Sequence, residues 1–311
     1  MELSTLLQQI RTELSLTQAD MVEQLSLFDV NFEHLDLITY SRWERGVSMP
    51  STLRIVHLLG FAHYDKISYL LKLNLKLSET KINNFQKLAD AHSQEEEVLL
   101  RSFYPVDNPV YIRYNAENPL EDVKQLKKIN AATARIFDLP EVNLTDRIAA
   151  AIALQKSNNL FVVTCEDEDQ RLCAHSLHSV HDSNDKALLV SDIKGFYKVP
   201  RSQSVSKDKF LFAHTFSRFN FDWWLYNCYC MLDIICNDMD IKEIISIVLN
   251  KHMAKIHKNI GFKLIKKIPT EKEHINGQPK IMSIQREEFL SNHGVISWLK
   301  KHPELVNSKK N

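Results

Sequence analysis

The sequence predicts a multidomain protein, an all-α bundle followed by an α/β domain with a mixed sheet. Three observations carry this. The 311 residues, at roughly 100–200 per domain, make about two domains. Apolar positions recur at helical spacing through residues 1–72. Beyond Pro105 and Pro109, strand-like runs alternate with helices. The expected layout is a helical domain over 1–77, a helical linker over 78–104 and the sheet domain over 105–311.

In the bundle, Leu3, Leu6, Leu7, Ile10 and Leu14 form the first apolar stripe. Thr17 with Asp20 reads as a capping box that opens a second helix. Ser51, after Pro50, opens another, carrying Leu53, Ile55, Val56, Leu58 and Leu59; Gly60 is placed to end it in a left-handed turn. A helix from Asp65 to about Leu77 follows, then a polar helical stretch over 78–103 with Ile82, Phe85, Leu88 and Ala89 as its stripe.

Composition excludes several function classes. Lys+Arg and Asp+Glu both number 39, so no strongly basic footprint covers the whole chain. The basic surplus is local: residues 1–72 hold 6 Lys+Arg against 9 Asp+Glu, and residues 251–311 hold 13 against 5. The 6 glycines are too scattered for a dinucleotide-binding loop or a P-loop. Five cysteines without a CxxC pair make neither a disulfide framework nor a zinc ribbon, which fits a reducing cytoplasm. The mixed-charge N-terminus is not a signal peptide, and no apolar run reaches the ~18–20 residues that span a bilayer.

One motif stands out in the bundle: L16-T-Q-A-D-M-V-E-Q-L25, then I38-T-Y-S-R-W-E-R-G-V-S-M-P-S51. Tyr40 and Trp43, at i and i+3, anchor a helix on the core, which turns Ser41, Arg42 and Arg45 outward. Arg pairs bidentately with guanine in the major groove, and Ser or Thr contacts bases or phosphate. The segment resembles the XRE, lambda-repressor-like helix-turn-helix family over residues 1–72. The resemblance implies a DNA reader with Thr39, Ser41, Arg42 and Arg45 on the duplex and Gln18 on a phosphate. It also implies an Arg11–Glu44 pair bridging the first helix to the recognition helix. From Leu25 to Ser41 is 16 positions, about double the family spacing, so residues 28–35 lengthen the turn or add a helical turn. Because the domain is net acidic and phosphate neutralisation drives affinity, two half-sites and a homodimer are expected. The alternative is a helical protein-docking module.

In the second domain, helices are expected at about 119–138 and 144–156. Strands are expected at Leu160–Cys165, Leu172–Val180, Ala187–Ser191 and Phe210–Phe219, with a hairpin turn at EDEDQR. A helix opened by Asp222, a strand over Ile241–Leu249 and a helix over Lys251–Asn259 complete a βαβ-type unit. The blocks L188-L-V-S-D-I-K-G-F196, F212-A-H-T-F-S-R-F219 and H252 to I265 resemble the acyl-homoserine-lactone (autoinducer) synthase family, which has an N-acetyltransferase-type fold. The resemblance implies an acyl pocket around Thr215, Phe216, Ser217, Arg218 and Phe219, with Phe210, Phe212, Trp223 and Trp224 as further lining or as plain core. Where that family carries a glutamate that activates the amine, this chain has Thr215, whose hydroxyl does not ionise near neutral pH. That argues against catalysis.

His175, His178 and His181 alternate faces on a strand and suit one metal ion poorly. His257 reads as a surface residue. The sequence thus points to a cytoplasmic transcription regulator. It would bind double-stranded DNA and a small acyl ligand, with no metal, cofactor or membrane association. The alternatives are an active N-acyl synthase domain fused to a DNA reader, and a repressor whose second domain binds a protein partner.

Overall fold

A computed structural model describes residues 1–93, 108–137, 144–191, 207–216, 221–248, 251–268 and 278–303. The chain forms two compact units, Met1–Gln86 with Glu287–Asn311, and Lys87–Arg286. Among the described residues no helix is long and apolar enough to cross a membrane.

The first unit is helical: α1 (Leu3–Glu13), α2 (Gln18–Phe28), α3 (Leu37–Glu44), α4 (Thr52–Phe61), α5 (Lys66–Lys72) and the start of α6 (Glu79–Ser93). Leu3, Leu6, Leu7 and Ile10 bury one stripe of α1. Thr17 and Asp20 form both halves of a capping box on α2. Ser51 caps α4 and Asp65 caps α5. The long connection between α2 and α3 folds as a 3-10 turn, Val30–Phe32, whose Phe32 is fully buried. Two expectations change here. Gly60 lies inside α4, and the left-handed residue after it is His63 (φ 55°). The helix expected to reach Leu77 ends at Lys72, because Leu73 turns extended and gives its carbonyl to Lys300 Nζ at 2.7 Å.

That lysine belongs to α13 (His293–Lys301), which with α12 (Arg286–Leu290) follows the sheet in sequence yet packs with the N-terminal helices. His293 joins Thr52 Oγ1 at 2.7 Å and accepts the Ser78 amide at 2.8 Å. Lys66 pairs with Glu287 at 3.3 Å, and the Phe85 and Trp298 rings lie 6.0 Å apart. The basic C-terminal end therefore contributes a packed helix over 293–301.

The second unit is a mixed sheet with helices on both faces. Its strands are β1 (Val110–Tyr114), β2 (Leu160–Glu166), β3 (Leu172–Asp182), β4 (Lys209–Phe216), β5 (Ile241–Val248), β6 (Lys263–Lys267) and β7 (Lys280–Gln285), in spatial order β1-β2-β3-β4-β5-β7-β6. Neighbours are antiparallel except β4 and β5, which are parallel. A parallel pair needs a crossover, supplied by α10 (Phe221–Asn237). Residues from α7 (Val123–Phe137) and α8 (Leu144–Lys156) pack on Leu160, Val162 and Leu177. Trp223 and Cys230 of α10 pack on Val163, Cys165 and Ala174, the neighbouring positions that point to the other face. The strand expected at Ala187–Ser191 is instead α9 (Lys186–Ser191). Asp182 caps a 3-10 turn that leads into it, and Leu189 drops into the core beside Phe210 and Phe212.

At Gly294 a Cβ would meet Phe85 Cβ at 2.2 Å and the Lys81 carbonyl oxygen at 2.7 Å. Only glycine allows α13 this approach to α6. Gly294→Ala is expected to lower stability by roughly 1–3 kcal/mol, the usual cost of overpacking. Denaturant titration checks this, and an unchanged midpoint would contradict the close packing.

Candidate functional site

In the helical unit, the chemistry gathers on α3. Asp36 opens it, accepting the Thr39 amide at 2.6 Å, and these hydrogen bonds hold its carboxyl below the usual range. Tyr40, Trp43 and Glu44 are buried. Arg42 and Arg45 are exposed, Thr39 and Ser41 half-buried, and Ile38 is 72% exposed. The periodicity thus divides the helix into an anchored face and a presented one. Arg45 Nε donates to the Ser41 carbonyl at 3.2 Å.

The anchored face centres on Glu44, which is 3% exposed. Arg11 Nε donates to its Oε1 at 2.6 Å, and Arg11 Nη2 to Oε2 at 3.3 Å. The bond to Glu44 raises the arginine pKa further. Gln18 Nε2 donates to Oε2 at 2.7 Å, and Gln8 Nε2 to the Glu44 carbonyl at 2.9 Å. Gln18, expected on a phosphate, thus makes an intramolecular bond here. Burial pushes the neighbouring Tyr40 phenol up.

The lengthened turn is fastened to α4. Asp29 meets His57 Nδ1 at 2.9 Å, Arg54 Nε donates to the Asn31 carbonyl at 2.9 Å, and the Arg54 guanidinium lies 5.6 Å from the Trp43 ring centre.

In the sheet unit, the feature that sets a site apart is a seam. β4 pairs with β5 from Lys209↔Ile241 to Ala213↔Ser246. Past that point β4 runs on to Phe216 beside β3, while β5 runs on to Val248 beside β7. The two parallel strands therefore part. A bulge accompanies the parting: Leu177 faces Thr215 and His178 faces Ala213, leaving His214 as the extra residue. Thr215 and Phe216 lie on this stretch of β4. Ser217, Arg218 and Phe219 lie outside the described residues, as does the glycine-bearing end of the 188–196 block.

Two buried polar groups lie on β3 beside the seam, one on each face of the sheet. His214 Nε2 lies 2.5 Å from Ser179 Oγ, which lies 2.6 Å from His181 Nε2. His178 Nε2 lies 3.0 Å from Asn227 Oδ1 and 3.1 Å from Ser176 Oγ. Burial drops His175 and His178 to about 4 and His214 well below the ordinary value. Sequence reasoning noted three of these histidines but missed Ser179, His214 and Asn227 as their partners; the repeated His-Ser-apolar triplet of residues 175–181 was the signal present. His257 of α11 (Lys251–Ile260), read as a surface residue, is buried, with Nδ1 2.9 Å from the Met253 carbonyl. Phe210, Phe212, Trp223 and Trp224 are all buried core residues, none more than 3% exposed. Among the described residues no group of three His, Cys, Asp or Glu side chains is placed to hold a metal ion.

No protein-family model and no curated protein matches the chain. Solved structures similar to it include a mosquito arylalkylamine N-acetyltransferase like 5b, at 10% identity and TM-score 0.38, over 57% of this chain and 100% of that one. Arabidopsis thaliana NAA60 in complex with acetyl-CoA matches at 9% identity and TM-score 0.36, over 58% and 99%. Arylalkylamine N-acetyltransferase 2 from Aedes aegypti matches at 13% identity and TM-score 0.36, over 58% and 99%.

The buried histidines make stability depend on pH. Their folded pKa of about 4 lies below the ordinary 6.5, so between those values the unfolded chain binds protons that the folded chain does not. Stability is full above pH 6.5 and declines as pH falls toward 4, by up to about 3 kcal/mol per histidine at about 1.4 kcal/mol per pH unit. Urea titrations across this window should show the decline, and His178→Gln should reduce it. A flat profile would contradict the burial.

Proposed function

We propose that this chain is a DNA-binding regulator whose sheet unit binds a small acyl compound without turning it over. The observation that carries the reading is the division of α3. Tyr40, Trp43 and Glu44 fix one face, and Ser41, Arg42 and Arg45 stand on the other with the chemistry that reads guanine and phosphate. Between residues 37 and 64 the only carboxylate is Glu44, which is buried and paired, while Arg42, Arg45 and Arg54 supply three cations. The nearest carboxylates outside that span are Asp36, which caps α3, and Asp65, which caps α5. The overall phosphate term stays small, which favours a homodimer on two half-sites.

The acyl reading draws on the parting of β4 and β5. A chain bearing an amide or thioester fits between two diverging strands, its polar groups on their backbone. Thr215, Phe216, Ser217, Arg218 and Phe219 are the proposed contacts, with Arg218 holding a carbonyl or anionic group. Thr215 supplies no general base, a contribution worth about 10²–10⁴-fold to catalysis. A second reading, surviving N-acyl transfer, is favoured by His214. It is the bulge residue next to Thr215, an imidazole that burial keeps neutral and also weakens as a base.

Arg42→Ala is expected to cost about 1–3 kcal/mol at the cognate duplex and to relax base preference. Competition binding on sequence-selected duplexes measures both, and unchanged discrimination would remove Arg42 from the reader. Arg218→Ala should abolish any response of DNA binding to acyl compounds while leaving duplex affinity intact. A ligand switches the chain only by binding its DNA-competent and incompetent states unequally. Multiple-turnover acylation from acyl-CoA or acyl-carrier protein would replace the sensor reading with the second.

A further inference from the structure

We propose that the first turn of α3 reads the 5-methyl group of thymine through Ile38, about two base-pair steps from the guanine read by Arg42. The inference rests on the DNA-reading proposal and deepens it by naming the base chemistry.

Ile38, Ser41, Arg42 and Arg45 stand at i, i+3, i+4 and i+7, so they form one stripe of α3. Three members of that stripe carry hydrogen-bonding groups. The fourth carries none, yet Ile38 is 72% exposed and its neighbour Leu37 is 47% exposed. An exposed aliphatic residue alone needs no explanation. One in line with a serine and two arginines has a specific complement in the major groove. The base-pair edges there present donors, acceptors and one apolar group, the thymine methyl.

The surroundings agree with a duplex as the occupant. The only acidic group within α3 is Glu44, which is buried and bonded to Arg11. The carboxylate that precedes the helix, Asp36, is turned to its own N-terminus by the Thr39 amide. The reading stripe is thus cationic at one end and apolar at the other. Ile38 is β-branched and stiff at χ1, so little side-chain freedom is lost on contact. Four helical residues rise about 6 Å, close to two steps of roughly 3.4 Å along a DNA strand. This sets the expected spacing of methyl and guanine.

The test uses the full chain. Duplexes are selected from a random pool, and the best is rebuilt with deoxyuridine in place of thymidine, one position at a time. Loss of one contacted methyl should weaken binding about fourfold, the scale of burying a single methyl group. It should do so at a position about two steps from an essential guanine. Ile38→Ala should bind the thymidine duplex more weakly and treat thymidine and deoxyuridine alike, while Ile38→Val keeps most of the discrimination. At 72% exposure, neither substitution removes a core contact. The proposal is overturned if deoxyuridine is tolerated everywhere, or if Ile38→Ala still discriminates. It is also overturned if Ile38→Ala abolishes self-association of the DNA-free chain with discrimination intact, which would give this face to a second copy. If no duplex is retained from the pool, the DNA-reading proposal falls, and this one with it.

Discussion

The buried carboxylate of Glu44 is the constraint on which the helical unit turns. An isolated buried charge costs several kcal/mol, so it persists only where partners surround it. Here Arg11 approaches from α1 and Gln18 from α2, at 2.6 Å and 2.7 Å. A carboxylate on α3 held from two other helices fixes the rotation of α3 about its own axis. With that rotation set, Trp43 and Tyr40 face inward by periodicity, and Ser41, Arg42 and Arg45 face outward. The same bonds remove a negative charge from the outward face of α3, the face proposed to meet DNA. Packing and electrostatics therefore come from one interaction.

The sheet unit has its own organising feature, the single parallel pair among antiparallel neighbours. Joining β4 to β5 in parallel forces the crossover helix α10, which brings Asn227 over β3 to hold His178. It also lets the two strands follow different neighbours at their ends, so the seam opens where the bulge at His214 re-aims β4. His175, His178 and His214 stay neutral at physiological pH because burial disfavours their charged form. The two polar groups, one on each face of β3, rigidify that part of the sheet only while they remain uncharged.

Local chemistry made much of the fold legible in the sequence. Thr17 with Asp20, Ser51 after Pro50, and Asp65 each marked a helix start through a side-chain acceptor for orphan amides. The β4–α10–β5 unit followed from alternation. What escaped has physical causes. The run Ala187–Ser191 is short and apolar, and periodicity does not separate strand from buried helix at that length. Pro105 and Pro109 pointed to a boundary, which hid β1 starting at Val110. β6 and β7 are short strands in a lysine-rich region read mainly for its charge. The packing of α13 with α4, α5 and α6 depends on partners more than 200 positions away, Thr52–His293 among them, and no local pattern encodes it. In the candidate sites, the outward set on α3 was legible because Tyr40 and Trp43 announce the inner face. The glutamine's partner was not, since an amide bonds a carboxylate or a phosphate equally well.

A double-mutant cycle over Arg11→Met and Glu44→Gln tests most directly the claim that one buried pair sets the reading face. It should be read both in unfolding free energy and in affinity for a selected duplex. The account predicts a coupling energy well above the ~0–1 kcal/mol of a surface pair, with each single variant losing base discrimination as α3 is released. Coupling near zero, with duplex discrimination unchanged in both single variants, would contradict it.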